Sequence, residues 1–332
     1  MSINNIFKYI AGGKNFKLFY HFHCFFILIM PAIIYRLRLR LIIASLYYRQ
    51  DKEYIEDRVN YYSKQFSIDN QDSSKWWKKQ IGDFKLKDCK VSTVYFYDTW
   101  EYLRYFDKRY RFNYVFGDVT HIPSQPSFVK SRPITDDNMN SVVLKLNKIR
   151  HFIFVHDRLG YRDKKDCAIF RGSLTGKPKR ISFFEQYFNH PLCDLGTHSR
   201  GNALPDEWKK KKISIYEQLK YKFVFALEGN DVASNLKWIM SSNSVAVMPE
   251  PTYETWFMEG RLIPNYHYIK IERDFSDLED RLKYYIQNPD KAEEIIRNAN
   301  EYVKQMLDEK REHLISLLVL DRYFRLSGQL DG

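Results

Sequence analysis

The chain predicts an α/β fold whose second half is a doubly wound parallel sheet. Three observations carry that prediction. Residues 223–227 and 244–248 are short apolar runs rich in branched and aromatic side chains, as buried strands are. Between them, residues 234–241 have helical spacing, with Leu236, Ile239 and Met240 on one side and Lys237 beside them. Each apolar run ends in chain-breaking residues: Glu228-Gly229-Asn230-Asp231 after the first, Pro249 and Pro251 after the second. Tyr253-Glu254 then opens another turn. Parallel sheets bind ligands at the carboxyl ends of their strands, so these polar ends are candidate site positions.

With 332 residues there is room for two domains, and 44% apolar content is enough for a real core. Lys and Arg number 53 against 41 Asp and Glu, a net charge of +12. That excess suits an anionic partner: a nucleotide phosphate, a nucleic acid or an acidic membrane face. Aromatic residues make up 17%, a supply suited to stacking on sugars and bases. Cys24, Cys89, Cys167 and Cys193 are scattered without a CxxC pair. The spacing speaks against a zinc site or disulfide framework and for a reducing compartment.

The first fifty residues hold seven lysines and arginines, Arg36, Arg38, Arg40 and Arg49 among them, and no Asp or Glu. Within them residues 24–35, CFFILIMPAIIY, are strongly apolar. The run is shorter than the roughly 20 residues a spanning helix needs, and Pro31 interrupts it. Two readings stay open: a patch lying on an anionic leaflet, or a helix buried against the body of the protein. Trp76-Trp77-Lys78-Lys79 reads as part of a helix.

Further strands are expected at residues 91–97, 114–116, 128–133, 151–155, 167–170 and 266–271, and helices at 141–149, from Ser182 to 188, from Phe275 to 287, 291–307 and 311–326. Asp118 follows Gly117 just past a strand end, the place of a side chain aimed into a site or of a plain turn residue. Residues 171–180, RGSLTGKPKR, combine small residues, hydroxyls and cations. Such a loop can cradle a diphosphate, or it is a solvated basic turn. The GxxxxGK[ST] spacing of a phosphate-binding P-loop is missing. Lys209 to Lys212 reads as a solvated face.

Together these pieces resemble glycosyltransferase family 90, and within it the bacterial lipopolysaccharide-core enzymes. The matching stretches are FGDVTHIP at 116–123, IFRGSLTGKPKR at 169–180, KFVFALEGNDVASNLKW at 222–238, MPEPTYETWFMEG at 248–260 and HYIKIERDFSDLEDRLKYY at 267–285. The resemblance implies a GT-B-like architecture, two Rossmann-like lobes facing a cleft, with extra N-terminal helices. On that basis residues 1–88 form a basic, apolar helical region, 89–155 the acceptor lobe, 156–304 the lobe that binds a UDP-sugar, and 305–332 a C-terminal helix. It implies inverting transfer of a hexose from a UDP-sugar to a lipopolysaccharide core, with no metal ion and no further cofactor. Asp118 takes the place of the general base. Arg171, Ser173, Thr175 and Arg180 match the diphosphate loop; Glu228, Gly229, Ser234 and Lys237 match the glycine loop and its helix. Tyr253 and Glu254 match a second donor loop with an acid near the ribose. The implied location is the cytoplasmic face of the inner membrane.

Two other classes remain in view. One is a protein O-glycosyltransferase, as in eukaryotic relatives of the family. The other is a non-catalytic nucleic-acid-binding protein, for which the charge speaks but no recognition motif does.

Overall fold

A computed structural model describes residues 13–15, 17–66, 77–199 and 204–330. Trp76 and residues 200–202 lie outside them. The chain divides into two compact units. The first takes Lys17–Lys148, Tyr253–Met258 and Met306–Gly332; the second takes Met1–Phe16, Ile149–Thr252 and Glu259–Gln305.

The first unit contains a four-stranded sheet. Its strands are β1 (Lys79–Gln80), β2 (Arg111–Val115), β3 (Ser127–Val129) and, after the short β4 (Ser131–Pro133), β5 (Ser141–Val143). The order is β1-β2-β3-β5, antiparallel at β1 and parallel elsewhere. Residues 128–133, expected as one strand, are two: Lys130 separates β3 from β4.

Two other assignments in this unit change state. Residues 91–97, expected as a strand, lead into the helix Thr93–Leu103. Its aromatic and branched residues favour strand locally, but Tyr95, Phe96, Asp98, Thr99, Tyr102 and Leu103 are the buried ones, a helical spacing. Burial of that stripe overrides propensity. Residues 141–149, expected as a helix, begin with β5, because Val142 and Val143 are wholly buried beside β3. Asn147, with φ 54°, then ends the run before the short helix Lys148–His151. The strand expected at 151–155 is absent, and Lys79 lies in a strand, not a helix.

A buried polar knot ties distant parts of this unit together. Glu312, on the helix Glu309–Leu326, accepts from Arg58 at 2.5 Å, Lys145 at 3.0 Å and the Trp256 indole N–H at 2.7 Å. Trp256 also stacks on Tyr62, centroids 3.9 Å apart. Removing one partner of such a knot strands a buried charge, so its members hold each other in place.

The second unit is built on a five-stranded, wholly parallel sheet. Its strands are β6 (Lys165–Gly172), β7 (Cys193–Thr197), β8 (Tyr221–Phe225), β9 (Val245–Met248) and, after β10 (Tyr253–Thr255) has paired with β4 in the first unit, β11 (Ile269–Lys270). The order is β11-β9-β8-β6-β7. The runs read as strands from their apolar character are strands because both faces are covered: Phe223, Val224, Phe225, Val245 and Val247 are buried. The helix expected from Ser182 begins at Pro178 and runs to Tyr187, since proline suits the first turn, where its missing N–H costs nothing. Helices Leu278–Gln287 and Pro289–Lys304 pack their apolar stripes onto the same core.

The apolar run near the N-terminus forms two helices, Lys17–Ile29 and Ala32–Ala44, broken at Pro31. Between residues 24 and 35 only Cys24 and Ile27 are buried, so the buried-helix reading fails. Among the described residues no single helix is long and apolar enough to cross a membrane.

Candidate active site

The order of the second sheet places a site before any side chain is considered. From β6 the chain moves outward to β7, while from β8 it moves the opposite way to β9. Loops leaving β6 and β8 therefore diverge, and the crevice between them is where parallel sheets take ligands. Both loops are stretches singled out in the sequence.

Arg180 joins the two. From the first turn of the helix Pro178–Tyr187 its guanidinium donates to the carbonyls of Ser173 at 2.9 Å, Leu227 at 2.6 Å and Glu228 at 3.0 Å. It also lies over the Phe170 ring. No carboxylate pairs with Arg180 among the described residues. Burial pushes its pKa down to about 10, and the neighbouring charge of Arg150 adds to the push. The guanidinium is thus partly desolvated, surrounded by carbonyls and close to another positive group.

Gly229 sits against it. A Cβ there would come within 3.3 Å of Arg180 Nη2 and 3.6 Å of Lys177 Cε, so a side chain at this position would press on the guanidinium. Lys177 reaches the Asn230 side chain in the same loop. Glu228 turns away from the cation: its carboxylate accepts from the Thr252 N–H at 2.8 Å and hydroxyl at 2.5 Å, tying the end of β8 to the chain beyond β9.

Ser199 organises the loop after β6. Its hydroxyl oxygen accepts the N–H groups of Leu174 at 2.8 Å and Thr175 at 3.2 Å and lies 3.0 Å from the Ser173 hydroxyl. Two backbone N–H groups of the basic loop are thus held by a side chain. Thr175 and Lys179 are exposed. Arg171 is turned into the sheet, where its Nε is buried without a hydrogen-bond partner among the described residues. It donates to the Phe170 carbonyl at 2.9 Å, the Asp194 carbonyl at 2.7 Å and the Asp194 carboxylate at 2.8 Å. Asp194 also accepts from Lys210 at 2.9 Å and Tyr221 at 2.6 Å. Burial alone would raise its pKa, but the hydrogen bonds from Tyr221, Lys210 and Arg171 hold it down at about 2.

Lys237 is fully buried and pairs with buried Glu259. Ser234 is half-buried at the start of the helix Leu236–Met240, which has five residues and so little dipole to offer. Sequence reasoning missed His198, Arg150 and Lys14. Burial lowers the pKa of His198, and Lys212, Lys14 and Arg180 push the same way, which marks one electropositive neighbourhood. None of these lies in a recognisable motif; only the fold collects them.

The remaining candidates belong to the first unit. Asp118 follows β2 beyond Gly117, whose φ of 115° only glycine adopts freely. Its carboxylate is partly exposed and accepts from Lys130 Nζ at 2.5 Å. Lys130 is buried, so it can serve only a neighbour inside the fold. A lysine inside an apolar strand run was the signal that could have found it. Glu254 is buried in β10, where it accepts from Arg132 Nε at 2.7 Å and from the Tyr61 hydroxyl. Tyr253 precedes it, its backbone opposite Pro133 of β4. Among the described residues no group of three or more His, Cys, Asp or Glu is placed to hold a metal ion.

Residues 121–327 match the family described as Glycosyl transferase family 90. The chain belongs to glycosyl transferase family 90. It is 47% identical over 233 residues to O-glucosyltransferase LpsA of Dichelobacter nodosus, covering 70% of this chain and 72% of that protein. It is 28% identical over 165 residues to Protein O-glucosyltransferase 3 of Rattus norvegicus, 48% of this chain and 32% of that one. With Protein O-glucosyltransferase 1 of Homo sapiens it shares 23% over 157 residues, 44% of this chain and 38% of the relative. The chain thus spans about a third of the length of these mammalian family 90 relatives. Membership of family 90 makes it a glycosyltransferase, and decides against a purely nucleic-acid-binding role.

Proposed function

We propose that this protein is an inverting GT-B glycosyltransferase that moves glucose from UDP-glucose to a sugar hydroxyl of a lipopolysaccharide core. The observation that carries the donor half is Arg180: a half-buried guanidinium at the crevice between β6 and β8 whose hydrogen bonds, among the described residues, all go to carbonyls. A diphosphate supplies the missing charge, and Arg meets phosphate with directed hydrogen bonds. Thr175, Ser173 and Lys179 from one loop, and Gly229 and Ser234 from the other, complete the donor set in this reading. Lys237, Glu228, Arg171 and Tyr253 hold those loops; Glu254 serves through Arg132. The three relatives described above are each named O-glucosyltransferase, which favours glucose as the sugar.

Direct displacement at the anomeric carbon needs a base on the acceptor hydroxyl and charge stabilisation on the departing UDP. Asp118 supplies the first, oriented by Lys130, and the cations around Arg180 the second. Calorimetric titration of UDP into wild type and Arg180→Met tests the reading. Affinity should fall by about tenfold or more, the scale of one lost charged hydrogen-bond partner. Unchanged affinity in a folded variant removes Arg180 from the donor site. The mammalian relatives suggest a second acceptor class, a protein hydroxyl. Competition between core oligosaccharide and a folded protein acceptor decides it.

A further inference from the structure

We propose that the two N-terminal helices are an interfacial anchor that seats this chain on an anionic phospholipid surface without crossing it. The inference is independent of the transfer reaction. Each helix has 13 residues, about 20 Å of length, short of the roughly 30 Å hydrocarbon core. They meet at a bend of 98°, so although the pair together has the length and apolar character of a broken span, it forms no straight one.

The bend is built in. Arg104 is buried at the break, where it donates to the Ile27 carbonyl at 3.1 Å and lies 3.6 Å from the centre of the Tyr35 ring. On the same side the Tyr20 hydroxyl donates to Asp98 at 3.1 Å, and Arg36 donates to the Phe106 carbonyl at 3.0 Å. One side of the pair is thus fixed to the unit.

The other side is apolar and open. Phe22, Phe25 and Phe26 on the first helix are exposed, Phe26 at 62%; Leu37 and Leu41 on the second are exposed at 72% and 74%. Monomeric proteins do not leave so many large apolar side chains together in water without a use for them. Arg38 and Arg40 are also exposed and flank this stripe, four residues after Ile34 and seven after Ile33. No acidic residue occurs in the first fifty positions. An occupant must accept phenylalanine and leucine and carry negative charge beside them, which describes the headgroup and acyl boundary of an anionic leaflet. A second copy fits less well, because a two-fold contact would bring the same arginines together.

The test is flotation of the full-length protein with phosphatidylcholine vesicles, with and without phosphatidylglycerol. Wild type should float with the anionic vesicles, and salt should weaken the association. Arg38→Glu/Arg40→Glu should lower the partition coefficient by about tenfold or more. Phe25→Ser/Phe26→Ser/Leu37→Ser should do the same while UDP affinity and melting temperature hold. Phe26→Trp should be quenched by lipids brominated on the acyl chain. Failure of wild type to float, equal partition of the charge-reversed variant, or a salt-stable dimer in place of vesicle binding overturns the proposal.

Discussion

Asp118 shows how much one carboxylate asks of its surroundings. Its place after β2 is given by Gly117, and its orientation by a lysine twelve residues later. Asp118→Asn should retain UDP binding and lose about 10²–10⁴ in transfer rate, measured with saturating donor and acceptor; near-normal turnover would end its role as base. Arg171 points to a different outcome. Its guanidinium is held on Asp194 and two carbonyls, so Arg171→Ala should cost about 1–3 kcal/mol of stability and less UDP affinity than Arg180→Met. A folded Arg171→Ala protein that has lost UDP binding as fully as Arg180→Met would restore Arg171 to the phosphate. The same network sets a pH response. The folded pKa of Asp194, about 2, lies below its ordinary 3.8, so its stabilising share is complete above about pH 5 and drains away as pH falls toward 2. Urea midpoints taken between pH 6 and pH 2 should fall less steeply in Asp194→Asn than in wild type.

At the scale of elements, the strands read from apolar runs at 167–170, 223–227, 244–248 and 266–271 of the second unit are present in whole or part, the one expected at 151–155 is absent, and the changes of state in the first unit have one reason. Residues 93–103 carry strand-forming residues on a helical stripe, and residues 141–143 carry a strand inside a stretch of helical spacing. In both, what covers the residues decides, and the cover comes from far away in the chain. β10 is the clearest case: its partner β4 lies about 120 positions earlier, and Glu254 meets Arg132 across that pairing. Breaking that buried pair with Glu254→Ala should lower unfolding free energy by about 3–5 kcal/mol, read by tryptophan fluorescence in urea. Were stability kept and UDP affinity lost, Glu254 would be a ribose ligand after all.

At the scale of the molecule, the first unit is assembled from three separate segments and the second from three more. Glu312 near the C-terminus, Trp256 and Arg58 share one knot, so truncating the last helix should unfold that unit. The cation account of UDP binding predicts that EDTA leaves transfer intact, as measured by UDP release in metal-stripped buffer; a rate restored only by added Mg²⁺ or Mn²⁺ would contradict it.

The sequence by itself determined the parallel α/β character of the second half, the two loops that flank the crevice, the position of Asp118 and the family. These are local facts: an apolar run of strand length, a glycine just past a strand end, a break that only certain residues make. Tertiary structure alone decided which of the loop's arginines already has a carboxylate beside it. Arg171 and Arg180 sit nine residues apart in one basic loop, and nothing in their spacing distinguishes them. The partner of the first, Asp194, comes from the neighbouring strand, whereas the second meets carbonyls at the divergence of β6 and β8. Charge is written in the chain, but whether a charge is already answered depends on what the fold brings beside it.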